Sequence, residues 1–513
     1  MLFNSHEFIL VFLPTTIVGF LLFGMASRTW ALGWLILASI CFYAWWRPFN
    51  LLIIGPSIAV NFIFASILLR LAHDEHKHIL RTVVLTLGIL FNVAFLGYFK
   101  YVNFLAGVAN DLTGSNIVLE QIILPLGISF ITFQKIAFLV DVSSQRVKSF
   151  TLRDYLLFVM FFPQLIAGPI VHYREMIPQF ERTSCRFNAD MFAAALTLFC
   201  FGLFKKVVLA DGIAEYVSPV YALAVGGGQV ALAQAWLAAV GFTLQIYFDF
   251  SGYCDMACGA ALFFGVRLPL NFDSPLKATS IIDFWLRWHA SLTRFLTAYV
   301  YNPIALALSR RRAARGLPML SRRGSDAWAF FHVLAWPTLT TMLLSGIWHG
   351  AGYTFILWGL LHGLYIIGNH AWRQYRPAPA TASDSRFSAI ASFALTFLAV
   401  VIAMVLFRAP DVASAVSILT GMTGRYGIGL PNVTGAAYCL GLLAIALLLP
   451  NSLVVMSKFE PALNVPKRVP TLAGLGYPLY WRPTLPWMIF TAALAAASMM
   501  RLTGKSEFLY WQF

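Results

Sequence analysis

Residues 82–99, "TVVLTLGILFNVAFLGYF", run for 18 positions without a charged side chain. A stretch of that length is enough to cross a bilayer as a helix. Comparable segments recur near 8–26, 30–46, 51–69, 122–141, 155–172, 189–210, 229–250, 256–266, 284–300, 329–348, 353–372, 387–407, 434–450 and 485–500. Inside lipid a backbone must satisfy its own hydrogen bonds, so helices are the reading, not isolated strands. Segments interrupted by Pro and Gly, such as "FFPQLIAGPIV" at 161–171, are expected to re-enter the membrane instead of crossing it. About 11–13 crossings follow. The chain reads as a single all-α polytopic membrane domain, 1–513.

Composition points the same way. The chain is 59% hydrophobic and 11% charged, against about 25% charged in soluble domains. A formal charge of +15 could suggest nucleic acid, but Lys and Arg fall between the apolar segments, where cytoplasmic loops hold them, and that class is excluded. The opening "MLFNSHE" has no Lys or Arg and does not resemble a cleavable signal. Six cysteines are scattered without a CxxC, most of them inside apolar segments, which predicts packing and no disulfide.

Loop charge sets the orientation. "SRRRAARGLPMLSRRG", 309–324, holds six Arg and is expected to be cytoplasmic. Five apolar segments follow it, which places the C-terminal tail, 501–513, on the extracytoplasmic face.

Ionisable residues in membrane segments are costly, and each is a functional candidate. Taken as one helix, 282–296 puts Asp283, Arg287 and Arg294 on one face and His289 on the apolar stripe with Trp285, Leu292 and Leu296. A lone histidine there is ordinarily a satisfied core residue. In "LLSGIWHGAGYTFILWGLLHG", 343–363, His349 lies among Gly346, Gly350 and Gly352. That pattern fits a narrow passage and a small-residue packing site equally well. If 349–363 is helical, His362 faces away from His349; His332, His362 and His370 read as core. Phosphate-loop, HExxH and GxSxG signatures are absent, as is any His followed five residues later by Asp. Any enzyme chemistry here uses histidine and a hydroxyl.

"FWLRWHASL" at 284–292 and "SGIWHGAGYTFILWG" at 345–359, with "ILPLGISFITFQ", "FPQLIAGPIVHY" and "YFDFSGYCDMACGAALFFG", resemble the membrane-bound O-acyltransferase family, in its bacterial, alginate O-acetylation branch. The resemblance runs from end to end. It implies a ring of tilted helices around a thin centre, with the catalytic histidine at His349 and a second conserved polar position at His289. Trp348, Arg287, Asp283 and Asp249 become substrate-binding candidates. The ending "FLYWQF" fits F-x-Y-x-x-F, a motif of this branch whose Tyr is thought to take the acyl group, here Tyr510. Without the resemblance, Tyr510 reads as an interfacial anchor.

The implied function is O-acetylation of an extracytoplasmic polysaccharide from a bacterial inner membrane. The donor would be acetyl-CoA or an acyl-carrier protein thioester, with no bound cofactor or metal. A separate extracytoplasmic acetyltransferase would complete the transfer. Alginate-type exopolysaccharide is the leading acceptor; peptidoglycan, cellulose and D-alanyl transfer use the same mechanism. The reading of another class is a transporter of a polysaccharide or its precursor. Acyl transfer requires His349 to be reached from both faces, so a ring sealed in packed protein counts against it.

Overall fold

The structure, a computed structural model, describes residues 1–72, 74–120, 122–321, 326–375, 386–471, 478–502 and 509. Tyr510 lies outside the described residues; of the tail, Arg501, Leu502 and Leu509 are described. The fold is all-α, and among the described residues two isolated bridges, Pro269 with Leu463 and Thr471 with Pro478, are the only β pairing. The centre is built by α1 (His78–Leu96), α2 (Ile128–Ser143), α3 (Ala189–Phe204), α4 (Leu232–Leu262), α5 (Ile281–Arg287), α6 (Ala290–Leu296), α7 (Trp336–His349), α8 (Tyr353–Tyr375), α9 (Arg386–Arg408) and α10 (Leu485–Arg501).

Six helical runs are long and apolar enough to cross a membrane: Glu7–Ala26, Phe49–Leu71, His78–Thr113, Ala189–Val225, Ala327–His349 and Phe387–Arg408. Four more apolar helices are shorter: Arg28–Ala44, Val412–Gly421, Val433–Leu448 and Leu485–Arg501. The protein is a multi-pass membrane protein. Where Pro163 and Gly168 interrupt the apolar run, the chain makes one short helix, Phe162–Leu165, and then leaves helical conformation. The six cysteines are free, and five of them are buried.

Every residue of α4 from Gly241 to Leu262 is buried. A helix enclosed on all sides is the core of its fold, yet this one carries Asp249 and Asp255. Their partners come from the helix beside it. A Cβ on Gly202 would lie 2.4 Å from the Gly252 carbonyl oxygen, and one on Gly252 would lie 2.7 Å from that of Gly202. These two glycines let α3 and α4 touch backbone to backbone. Directly after the crossing, α3 widens into a π turn, Lys205–Ala210. A π turn spreads its residues over a wider circuit than an α turn, and two successive lysines reach α4: Lys205 Nζ lies 2.6 Å from Asp255 Oδ2, and Lys206 Nζ 2.8 Å from Asp249 Oδ1.

Gly202→Ala puts its Cβ against backbone that cannot swing aside. Overpacking of this kind costs about 1–3 kcal/mol. The expected outcome is a lower melting temperature of the detergent-extracted chain, read by size-exclusion chromatography after heating. Gly33→Ala, whose Cβ meets nothing within 4 Å, does not lower it.

Candidate active site

The helix expected over 282–296 breaks at its histidine. α5 ends at Arg287 and α6 begins at Ala290, with His289 between them at φ 44° and ψ 48°. That left-handed conformation is uncommon for any residue but glycine. It is held by Asn271, on the chain between α4 and α5. Asn271 Oδ1 accepts the Ser291 amide at 3.2 Å and the Ser291 hydroxyl at 2.8 Å, and lies 3.0 Å from His289 Nδ1. The Asn271 carbonyl accepts the Ala290 amide at 2.9 Å. Since this oxygen can only accept, the proton of His289 is assigned to Nδ1 and the basic lone pair to Nε2.

The break corrects the expected charged stripe. Asp283 and Arg287 do pair, at 2.8 Å, but Arg294 turns elsewhere and grips Glu175 through two bonds of 2.7 and 2.9 Å. The Asp283–Arg287 pair is partly exposed.

His349 is the last residue of α7. Its glycines serve packing: a Cβ on Gly346 would lie 2.3 Å from the Phe355 carbonyl oxygen, and one on Gly359 would lie 2.5 Å from that of Met342. α7 and α8 therefore meet backbone to backbone just below the histidine. The chain turns at 350–352 and α8 starts at Tyr353, so 349–363 is not one helix and His362 does not face away. The Trp358 ring touches both, with centroids 5.0 Å from His349 and 4.8 Å from His362. The Trp285 indole donates to His362 Nδ1 at 3.2 Å.

The two motif histidines come together. The imidazole centroids of His289 and His349 are 6.4 Å apart, and both side chains are buried, at 0% and 4% exposure. Trp348 covers them, 4.9 Å from His349 and 6.3 Å from His289, and stacks on Phe133 at 5.0 Å. Phe250 closes over His289 edge-on at 4.8 Å. Trp348 thus joins the pair; Asp249, Asp283 and Arg287 do not.

Sequence reasoning missed Lys100. It lies in the π turn Gly97–Tyr101 and donates to the carbonyls of Trp348 and, at 3.1 Å, His349. A cation on the unsatisfied carbonyls that end a helix is favourable on both hydrogen-bonding and dipole grounds. The signal was present: a lysine next to an otherwise uncharged membrane segment. Asn271 had no such signal.

A cavity of about 260 Å³ is lined by Trp285, Thr297, Tyr301, Thr338, Thr341 and His370 among others. From there, ring contacts run through His362 and Trp358 to His349. Among the described residues, His362 Nε2 and Trp358 Nε1 are buried without a hydrogen-bond partner. Outside the spans, Arg468 pairs with Asp273, and Lys277 donates to the Leu449 carbonyl at 2.7 Å. Burial, with Arg468 and Arg287 nearby, lowers the Lys277 ammonium from its usual range. Among the described residues, no cluster of three or more His, Cys, Asp or Glu could hold a metal.

Residues 38–321 match the family described as MBOAT, membrane-bound O-acyltransferase. The peptidoglycan O-acetyltransferase of Helicobacter pylori is 36% identical over 469 residues, covering 85% of this chain and 82% of the relative. The probable alginate O-acetylase AlgI of Pseudomonas putida is 32% identical over 528 residues, covering 100% of both. The teichoic acid D-alanyltransferase of Streptococcus thermophilus is 28% identical over 251 residues, 48% of this chain and 57% of the relative.

Asn271→Ala removes the acceptor shared by His289 and Ser291. Unsatisfied buried groups cost about 1–3 kcal/mol, so acyl transfer is expected to fall about 10- to 100-fold with the chain still in the membrane, scored by acetyl transfer in isolated membranes. Lys100→Met, which frees the carbonyls under His349, is expected to lower the same rate by at least about 10-fold.

Proposed function

From a chain that belongs to the membrane-bound O-acyltransferase family, we propose an O-acetyltransferase of a bacterial inner membrane that modifies an extracytoplasmic polysaccharide. One observation carries the reading: two buried imidazoles from separate elements face each other at 6.4 Å. A transporter would need no such pair.

In this reading the whole chain, 1–513, is one acyltransferase domain with its tail, 501–513, outside. The donor is a thioester, acetyl-CoA or an acyl-carrier protein, entering from the cytoplasm by the Arg-rich 309–324 loop. The cavity beside Trp285 supports this route, and the bare Nε2 of His362 and Nε1 of Trp358 suit the amides of a pantetheine arm. Ring contacts link Trp285 through Trp358 to His349, so a donor in that cavity would reach the histidine by turning them aside.

His349 takes the proton of the acceptor hydroxyl, with His289 Nε2 sharing or orienting it. The hydroxyl oxygen attacks the thioester carbon, the carbon–sulfur bond breaks, and the thiolate leaves with a proton. The acceptor is the phenol of Tyr510. A phenol ionises at about pH 10, well below a sugar hydroxyl, so acetyl-tyrosine can pass its group downhill to a sugar. A separate extracytoplasmic acetyltransferase performs that step. CoA never crosses.

Full-length similarity to alginate O-acetylases supports an alginate-type exopolysaccharide as the final acceptor. The 36% identity to a peptidoglycan O-acetyltransferase favours peptidoglycan as the second reading. Mass analysis of surface glycans with and without the chain separates them.

Acetyl label from acetyl-CoA is expected on the wild-type chain and not on Tyr510→Phe. A positioned general base contributes about 10²- to 10⁴-fold, and His349→Ala is expected to lose that much product. Unchanged product acetylation in His349→Ala removes the enzymatic role of the histidine pair. An intact product in Tyr510→Phe reduces the tail to an anchor.

A further inference from the structure

A second cavity, of about 220 Å³, opens between α3, α4, the helix Val433–Leu448 and α10. Phe248, Ala446 and Val455 line its buried side, and Leu449, Leu479 and Phe490, all exposed, line its mouth. α10 is one of the apolar helices of a multi-pass protein, so an apolar mouth beside it opens to hydrocarbon. An apolar cavity of about 150 Å³ takes benzene; this one has room for a stretch of one acyl chain. Its polar contact from α3 is already satisfied. Lys205 Nζ lies 2.6 Å from Asp255 Oδ2 and donates to Ser452 Oγ at 2.9 Å, and Ser452 donates to the same carboxylate oxygen at 2.6 Å. This triad is closed and neutral, so a charged headgroup finds its partner elsewhere.

That partner lies at the rim. Lys277 donates to the carbonyl of Leu449, at the mouth, at 2.7 Å. Ser274 also lines the cavity, and the residue before it, Asp273, pairs with Arg468. Arg287 pairs with Asp283 and lies 3.5 Å from the Asp273 carbonyl. Among the described residues, three cations here face two carboxylates. Burial, Arg468 and Arg287 all disfavour the charge on Lys277, and an anion placed there relieves them. Ser274, buried, has φ 48° and ψ 56°, a strained conformation for a residue other than glycine. It is held from both sides: Asn451 Nδ2 donates to the Phe272 carbonyl at 3.0 Å, and the Asp273 amide to the Arg287 carbonyl at 3.0 Å. The wall at 272–274 continues directly from Asn271, which shapes the break at His289.

In the proposed orientation the rim is cytoplasmic, because 451–484 carries four Lys or Arg. The cytoplasmic leaflet holds anionic lipids, and basic pockets between membrane helices on that side take their headgroups. Trp487 lines the cavity from the first turn of α10, the level at which Trp is enriched. We propose that this cavity is a binding site for an anionic phospholipid, with one acyl chain between α3, α4 and α10 and the phosphate against Lys277 and Arg468. The site does not depend on the proposed reaction. Its occupant packs against 272–274, on the far side of that segment from the histidine break.

The test uses the purified full chain in detergent, titrated with phosphatidylglycerol or phosphatidylcholine, with bound lipid counted by native mass spectrometry. A cation beside an anionic headgroup is worth about 5-fold in affinity, so one phosphatidylglycerol is expected to bind at least about 10-fold more tightly than phosphatidylcholine. Lys277→Gln and Arg468→Gln are each expected to weaken phosphatidylglycerol about 5-fold and to leave phosphatidylcholine unchanged. Ala446→Phe fills the cavity and is expected to weaken both lipids about 10-fold, a loss that a phosphate ion held at the rim alone would not show. Arg47→Gln, an exposed cation that does not line the cavity, changes neither. Equal affinity of the wild-type chain for the two lipids overturns the headgroup site, as does an equal loss in Arg47→Gln and Lys277→Gln. Undiminished binding in Ala446→Phe overturns the cavity. If one rim variant is not recovered folded, the other decides, and Ala446→Leu stands in for Ala446→Phe on the same terms.

Discussion

The centre of this protein depends on one carboxamide oxygen. Asn271 Oδ1 gathers the amide and hydroxyl of Ser291 and meets His289 Nδ1, and the carbonyl of the same residue takes the Ala290 amide. A residue other than glycine in the left-handed region costs about 1–3 kcal/mol. Hydrogen bonds contribute about 0.5–1.5 kcal/mol each, so this set is enough to hold the break open. With the break, His289 leaves the apolar stripe of a helix and turns toward the end of α7. Without it, the charged face and the histidine would lie where a regular helix puts them, and the two imidazoles would not meet.

A second constraint comes from the solvent. In lipid, a buried polar group must find its partner within the protein. This fold meets that demand with π turns, one of them directly after the Gly202–Gly252 crossing. Lys100 reaches the last carbonyls of α7 from one such turn, and Lys205 and Lys206 reach Asp255 and Asp249 from another. In each case the extra residue in the turn redirects a long side chain inward while the helix continues. At the histidine break the helices are short. α5 and α6 have seven residues each, about 10 Å at the helical rise.

These devices explain which parts were readable in advance. Apolar length alone revealed the all-α membrane class, because lipid leaves so few alternatives. The glycines around His349 fit a passage and a packing site equally well in sequence, and in the structure Gly346 packs against the backbone of α8; sequence reading does not place the helix end at the histidine. The break at His289 was not, since "WLRWHASL" contains no glycine or proline and periodic reading carried the helix straight through it. Its cause is tertiary, a bond from a residue 18 positions earlier. The same error misplaced Arg294 on the Asp283 face. Asp249 was noticed as a costly buried acid, but its partner, a lysine in a π turn, could not be located from spacing. Lys100 was readable by the rule that drew attention to the histidines, applied to a cation.

His349 is buried and lines none of the cavities described, which counts against access to it from both faces, so acyl transfer at the pair requires the enclosure to open. In the proposed mechanism the thioester and the aryl ester are both open to hydrolysis, and a base exposed to water would activate water as readily as a phenol. Excluding solvent prevents that loss and strengthens each polar interaction inside. Trp348, Trp358, Phe250 and Phe133 form such a dry enclosure around or beside the imidazoles. The cost is that reactants enter only by displacing side chains. Trp285 and Trp358 touch each other and both touch the His362 ring. In the proposed mechanism an arm with amides would give partners to the nitrogens of His362 and Trp358, which lack them among the described residues.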